Sequence, residues 1–240
     1  MSRPEPPPAQ ESVASPPAGP ARAPGIPGPQ GSRYGWFVGV LALLILALIT
    51  FNTIVTTPNG SSGVAPGRPL PPFAVPLAVG HVNGDANIAT RPHEGPAGNR
   101  PACTVRGPGV LNVCQLYERG PVVLALFVAG GACPRVLDDL QRLMPAFPGV
   151  QFAAVAIRGD RGSLRTLVVS RGWTFPVGYD RDGALANLYK VSSCPQVTLA
   201  YPGGVVARKA LLTRPAPAVL RADIGALLAA SQARGWRRPA

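Results

Sequence analysis

The chain has 240 residues, is 46% hydrophobic, contains 30 Pro and 28 Gly, and carries a formal net charge of +12. Much of the Pro and Gly precedes residue 122, so the globular part amounts to one domain of ordinary size, and an array of large domains is excluded. The positive excess is spread out, with no Lys/Arg run longer than Arg237-Arg238 and no nucleic-acid motif or stripe of basic and aromatic residues, so the surface reads as solvated and generally basic, with at most a diffuse attraction to anionic lipid or wall polymers.

Residues 1–33 are rich in Pro, Ala and Gly and include Pro6-Pro7-Pro8. They hold little that can enter a core and are expected to be a disordered tail with polyproline character. From Trp36 to Val55 the chain is one uncharged apolar segment. As a helix it rises about 30 Å, the thickness of a hydrocarbon core, and Tyr34 and Trp36 suit the interface. A cleaved signal peptide is the competing reading. The long preceding tail, the length of the run and the lack of a clear Ala-x-Ala site favour an uncleaved transmembrane helix over residues 34–55, touching the lipid bilayer through residues 36–55. Arg3, Arg22 and Arg33 precede the span and no charge follows until Arg68. The expectation is therefore a single-pass cell-membrane protein, with its N-terminus cytoplasmic and its C-terminal domain extracytoplasmic.

Residues 56–71, with Pro58-Asn59-Gly60 and Pro66-Gly67, are expected to be a flexible linker. A globular domain over residues 72–235 follows. Pro72–Ala78 suits a short edge strand, because its prolines argue against a central one. Residues 80–101 read as an extended loop. His81 and His93 lie twelve apart with no ligand pattern near them, which suits surface histidines rather than a metal site. Gln115–Gly120 is expected to be a helical turn closing on Gly120.

Pro121–Val128 is apolar on both alternating faces, as in a strand buried at the centre of an α/β sheet. Gly130 and Gly131 open a tight loop, and Cys133 and Pro134 follow. From Arg135 to Met144, apolar residues at 136, 137, 140, 143 and 144 recur at helical spacing. Pro134 suits the first helical position, where its missing N–H has no intrahelical partner to lose. That puts Cys133 at or near the N-cap, where unpaired N–H groups and the helix dipole favour a thiolate. An inert buried cysteine ahead of a helix fits the same residues.

Val150–Ile157 reads as a second buried strand. Ser163–Arg171 reads as a helix, with Ser163 as N-cap and Gly172 as its stop. Phe175–Asp180 is expected to be a short strand, and Asp182–Val191 a helix. Val197–Tyr201 and Val205–Arg208 form a predicted hairpin around Pro202-Gly203-Gly204. Pro217–Arg234 is a final amphipathic helix, with Leu220, Ile224, Leu227 and Leu228 on one face. Strands alternating with helices and ending in a hairpin indicate an α/β class with a mixed sheet.

The order of these elements and a set of residues resemble the thioredoxin-like fold, in the branch of membrane-anchored thiol–disulfide reductases and redoxins that adjoins the peroxiredoxins (alkyl hydroperoxide reductase/thiol-specific antioxidant). The match covers roughly residues 70–230. It is carried by Phe175-Pro176-Val177, Asp180, Gly183-Ala184-Leu185-Ala186, Tyr189, Val191, Pro195 and Gly203. The resemblance implies a cis peptide bond at Cys194-Pro195, beside the redox cysteine. The chain departs from the family at its central motif. Where the reductases carry Cys-x-x-Cys, it has Gly130-Gly131-Ala132-Cys133-Pro134-Arg135-Val136, with one cysteine. Where a peroxiredoxin needs a Thr and an earlier Pro, it has Gly130 and Leu126.

The resemblance also implies that Cys194 and Cys133 face each other at the active-site end of the sheet. Four cysteines allow three pairings. The expected ones are Cys103–Cys114 as a structural disulfide and Cys133–Cys194 as the catalytic pair, with a fixed structural disulfide as the plainer version of the second. Cys133 is expected to attack a disulfide, Cys194 to resolve the mixed disulfide, and Pro195 and Pro134 to contact the substrate. No metal or organic cofactor is implied. The implied partners are protein thiols and disulfides, or peroxide. Two alternatives stand beside the oxidoreductase: an antioxidant thiol peroxidase, and a thioredoxin-like binding module with no turnover.

Overall fold

The computed structural model describes residues 33–56, 63–94 and 98–238. The proline-rich tail over residues 1–32 and residues 57–62 of the expected linker lie outside the described residues. Two compact units divide at Thr57 and Pro58.

The first unit holds helix α1, Arg33–Thr56, of 24 residues. Side chains are described for residues 35–50, and all of them are exposed. A helix apolar all round, without a polar face, belongs in a core or in lipid rather than on a water-facing surface. Thr50 donates its hydroxyl to the Leu46 carbonyl at 2.7 Å, which satisfies the polar group within the helix. Among the described residues, no helix is long and apolar enough to cross a membrane. Residues 35–50, the part of α1 whose side chains are described, rise about 24 Å.

The second unit is built on a four-stranded sheet in the order β5-β4-β3-β6. Its strands are β3 (Val122–Phe127), β4 (Gln151–Ile157), β5 (Val177–Asp180) and β6 (Gln196–Ala200). β3 runs parallel to β4, β4 runs parallel to β5, and β6 is antiparallel to β3. The sheet is thus mixed, and the fold is thioredoxin-like α/β. All six residues of β3 are buried, and their alternation separates two cores. Val123, Ala125 and Phe127 face the core that takes in Leu137 and Leu140 of α3 (Arg135–Leu143), Leu164 of α4 (Arg161–Arg171), and Leu220 and Ile224 of α6 (Pro217–Ala233). Val122, Leu124 and Leu126 face the other core, with Leu116 of α2 (Val113–Arg119), Leu185 of α5 (Ala184–Leu188), Phe73 and Tyr189. A strand covered on both faces has no polar side to show, which is why its sequence is a continuous apolar run.

A small second sheet pairs β1 (Ala74–Pro76) antiparallel with β2 (Val110–Asn112). It crosses β5 at Gly178. A Cβ there would lie 2.5 Å from Val75 Cγ2 and 3.0 Å from Leu111 Cδ2.

Several elements differ from expectation. β2 was not expected: three residues give no alternation to read. α2 starts at Val113, two residues before the predicted turn, because Asn112 caps it by accepting from the Cys114 and Gln115 N–H groups. α4 starts at Arg161. Its N-cap is Asp160, whose Oδ1 accepts from both the N–H (2.7 Å) and the hydroxyl (2.8 Å) of Ser163. α5 is confined to Ala184–Leu188, ending just before Lys190 at φ 51. The second arm of the hairpin is reduced to bridges, with Val206 opposite Ala200 and Val205 opposite Pro69. That last contact alters the linker reading as well. Residues 63–71 pack on the domain, with Val64 and Leu70 buried and the Leu70 N–H bonded to the Gly204 carbonyl at 2.7 Å. His81 and His93 are exposed.

Gly178→Ala is expected to lower stability by about 1–3 kcal/mol, because the new methyl must push the small sheet off β5. Urea unfolding measures this, and an unchanged midpoint would show that the small sheet shifts freely.

Candidate active site

The site follows from the register of two strands. In the β3–β6 pair, Ala125 is opposite Val197 and Leu126 is opposite Gln196. One further step along each strand sets Phe127 against Pro195, and the next sets Val128 against Cys194. The contact is present: the Val128 backbone N–H donates to Cys194 Sγ at 3.1 Å. After Val128 the chain turns through Gly130 and Gly131, the latter at φ 60, and carries Cys133 back across the end of the sheet. Cys133 and Cys194 are disulfide-bonded, with Cα atoms 5.5 Å apart and a sequence separation of 61. That separation lies in the ordinary range for a disulfide. The Cys194-Pro195 peptide bond is cis.

The helix after Cys133 begins one residue later than expected. Arg135 is its first residue and Pro134 its N-cap, so Cys133 stands one position outside the cap. The reason is local. Residues 131–134 form a turn in which the Arg135 N–H bonds to the Ala132 carbonyl at 3.2 Å, and Pro134 already has helical angles within it.

The two sulfur-bearing residues differ in access. Cys133 is 7% exposed and belongs to the core on the α3 face. Cys194 is exposed. A groove of about 390 Å³ opens beside Cys194, lined by Leu126, Val128, Ile157, Arg158, Val191 and their neighbours, with Cys133 absent from its wall. Pro134 and Pro195, the expected substrate contacts, are both buried. A second groove of about 350 Å³, between Leu77, Val168 and Trp173, contains neither cysteine.

The segment leading to Cys194 is fixed from below. Gln196 donates through Nε2 to the Tyr189 carbonyl at 3.0 Å, and the Tyr189 hydroxyl donates to the Pro71 carbonyl at 2.7 Å. Ser193 donates its hydroxyl to the Leu212 carbonyl. Asp180, fully buried at the end of β5, accepts from the N–H groups of Gly183 (3.1 Å), Ala184 (3.2 Å) and Leu185 (2.9 Å), and so holds the start of α5. Burial pushes the Asp180 carboxyl above its ordinary value, against the opposing pull of those three N–H groups. Sequence reasoning assigned no role to the Val128 N–H, Arg158 or the Asp180 bonds. The first was available in principle from strand register; the other two had no local signal.

The other pair, Cys103–Cys114, has Cα atoms 5.4 Å apart and a sequence separation of 11. It lies on the opposite face of the sheet. Cys114 is fully buried, and Asn112 Nδ2 donates to the carbonyls of Ala102 and Val105, both at 2.8 Å, tying the loop to α2.

Comparison of the sequence with protein-family models and with curated proteins found no match. Solved structures are similar in fold. One is a candidate protein disulfide isomerase from Bacteroides thetaiotaomicron, 12% identical, with 72% of this chain and 97% of that one covered at a TM-score of 0.52. Another is a candidate thiol:disulfide interchange protein DsbE from Chlorobium tepidum, 21% identical, with 69% and 99% covered at 0.50. A third is a thioredoxin-family thiol:disulfide interchange protein from Chlorobium tepidum TLS, 11% identical, with 69% and 98% covered at 0.50. At these identities the likeness is one of fold.

Because the Asp180 carboxyl is raised in the folded state, folding takes up a proton, and the stability this group contributes falls as pH rises through the window just above the ordinary value of 3.8. In urea unfolding across that window, the advantage of the native chain over Asp180→Asn is expected to shrink with rising pH and then level off. An advantage that grows with pH would contradict the direction of the shift.

Proposed function

We propose that this chain is a membrane-anchored, extracytoplasmic thiol–disulfide oxidoreductase that exchanges its Cys133–Cys194 disulfide with protein thiols and disulfides. The observation that carries the reading is the pairing of two cysteines distant in sequence at the loop end of the sheet, with one of them exposed at the mouth of a groove. A disulfide of purely structural use gains nothing from an open side, whereas exchange needs an in-line approach to one sulfur. The fold shared with thiol:disulfide interchange proteins supports the same chemistry. The Cys103–Cys114 pair, with one partner fully buried, is the structural staple.

The anchor is α1, apolar all round and exposed over residues 35–50, continued in sequence by the uncharged segment to Val55. Arg3, Arg22 and Arg33 precede the apolar run and no charge follows until Arg68, a bias that orients the catalytic domain outward, into a compartment where disulfides persist.

The test uses the whole chain in detergent with reduced, unfolded ribonuclease as the thiol substrate. The oxidised protein is expected to introduce disulfides at least tenfold faster than buffer alone and to lose this in Cys133→Ser/Cys194→Ser. Equal rates for the native protein and that double variant would overturn the reading. Rapid peroxide consumption lost in Cys133→Ser would assign a peroxidase instead, and no turnover with either substrate would leave a binding module. Cys103→Ser/Cys114→Ser is expected to retain exchange while losing about 3 kcal/mol of stability, the chain entropy of a loop of this size, measured by urea unfolding.

A further inference from the structure

We propose that exchange runs through Cys194, with Cys133 as the buried resolving partner, so that the cysteine preceding the helix is not the one that meets substrate. This rests on the oxidoreductase reading above and assigns the roles within it.

Three features of the site converge on Cys194. Access comes first. Thiol–disulfide exchange requires the attacking and attacked sulfurs to meet in line. Cys194 is exposed and lines the groove, whereas Cys133 is 7% exposed and packed into the α3 core. The second is a hydrogen-bond donor. The Val128 N–H points at Cys194 Sγ from 3.1 Å, so charge on that sulfur, whether attacking or leaving, is met by a preplaced dipole. The donor is backbone, fixed by the β3–β6 register, and needs no reorganisation during the reaction. The third is the setting of Cys133: an apolar core surface is a poor medium for a free thiolate awaiting substrate. It is adequate for a thiol whose one partner, Cys194, is already within bonding reach.

The steps balance. In the oxidising direction a substrate thiolate attacks Cys194 Sγ. The bond between the substrate sulfur and Cys194 forms, the Cys133–Cys194 bond breaks, and Cys133 departs with the electron pair and takes a proton from water. A second substrate thiolate then attacks the first substrate sulfur and releases Cys194 as thiolate. The substrate dithiol loses two electrons and the protein disulfide gains them. In the reducing direction the Cys194 thiolate attacks a substrate disulfide, whose S–S bond breaks to release one substrate thiolate that takes a proton from water; Cys133 then loses its proton to water and attacks Cys194 Sγ, and the second substrate sulfur departs as thiolate.

The experiment has two arms. In the first, the whole native chain is reduced and freed of reductant, then treated briefly with a charged maleimide, and labelling at each cysteine is followed by mass spectrometry. Cys194 is expected to react at least tenfold faster than Cys133, and equal or reversed rates would overturn the assignment. In the second, Cys133→Ser and Cys194→Ser are each incubated with oxidised glutathione. The assignment expects the mixed disulfide on Cys194 in the first variant and little on Cys133 in the second. An adduct mainly on Cys133 would overturn the assignment and leave the oxidoreductase standing. An adduct on neither, with both thiols open to maleimide, would remove the oxidoreductase reading and this one with it.

Discussion

The antiparallel pairing of β3 with β6 is the constraint on which the site depends. Once Leu126 lies opposite Gln196, the ends of the two strands are fixed against each other, and Cys194 must lie beside Val128. A slip of one residue would turn every side chain of β6 to the opposite face. All five residues of β6 are buried, so that slip would bring a wholly different set of side chains against each core. The packing energy of the sheet is thus what holds a sulfur beside a backbone N–H at 3.1 Å. The parallel strands β4 and β5 add the rest. Their C-terminal ends finish at the same edge, where Arg158 and Asp180 lie, and a loop there can reach the groove.

This geometry gives the two cysteines different surroundings although they share a bond. Cys133 comes from a loop that folds back over the α3 face and joins its core. Cys194 precedes β6, the last strand of the four-stranded sheet, which pairs with β3 and is bridged on its other side at Val206 and Leu211, and the groove beside Cys194 opens over the ends of β3 and β4. The difference in exposure follows from topology rather than from either residue's neighbours in sequence. It also gives the single cysteine ahead of the helix a partner that the sheet delivers from 61 positions away.

Much of the fold was legible. β3 and β4 announced themselves as continuous apolar runs because both faces are covered, and α3 and α6 as periodic stripes because each covers one face. What escaped notice was short or non-local. β2 has three residues and is a strand only because Ala74–Pro76 lies beside it. The ordered path of residues 63–71 depends on Gly204 and Val206, which follow it by more than a hundred positions, while its own glycines and prolines suggest only a linker. At the site, the cysteines and the proline were readable through resemblance to a known fold. The burial of Cys133 stayed one of two open readings, because a small thiol before an amphipathic helix gives no local sign of which side of the loop is covered.

The Asn112 cluster has a consequence for how the chain acquires its bonds. Among the four cysteines, Cys103 and Cys114 are nearest in sequence, 11 residues apart, and closing the shortest loop sacrifices the least chain entropy. Asn112 both starts the helix carrying Cys114 and grips the carbonyls of Ala102 and Val105 on either side of Cys103, so this encounter needs only local order. Once that bond is made, the two remaining thiols have only each other. The shortest loop is thus the one favoured to close first, and its closure leaves Cys133 and Cys194 a single possible pairing.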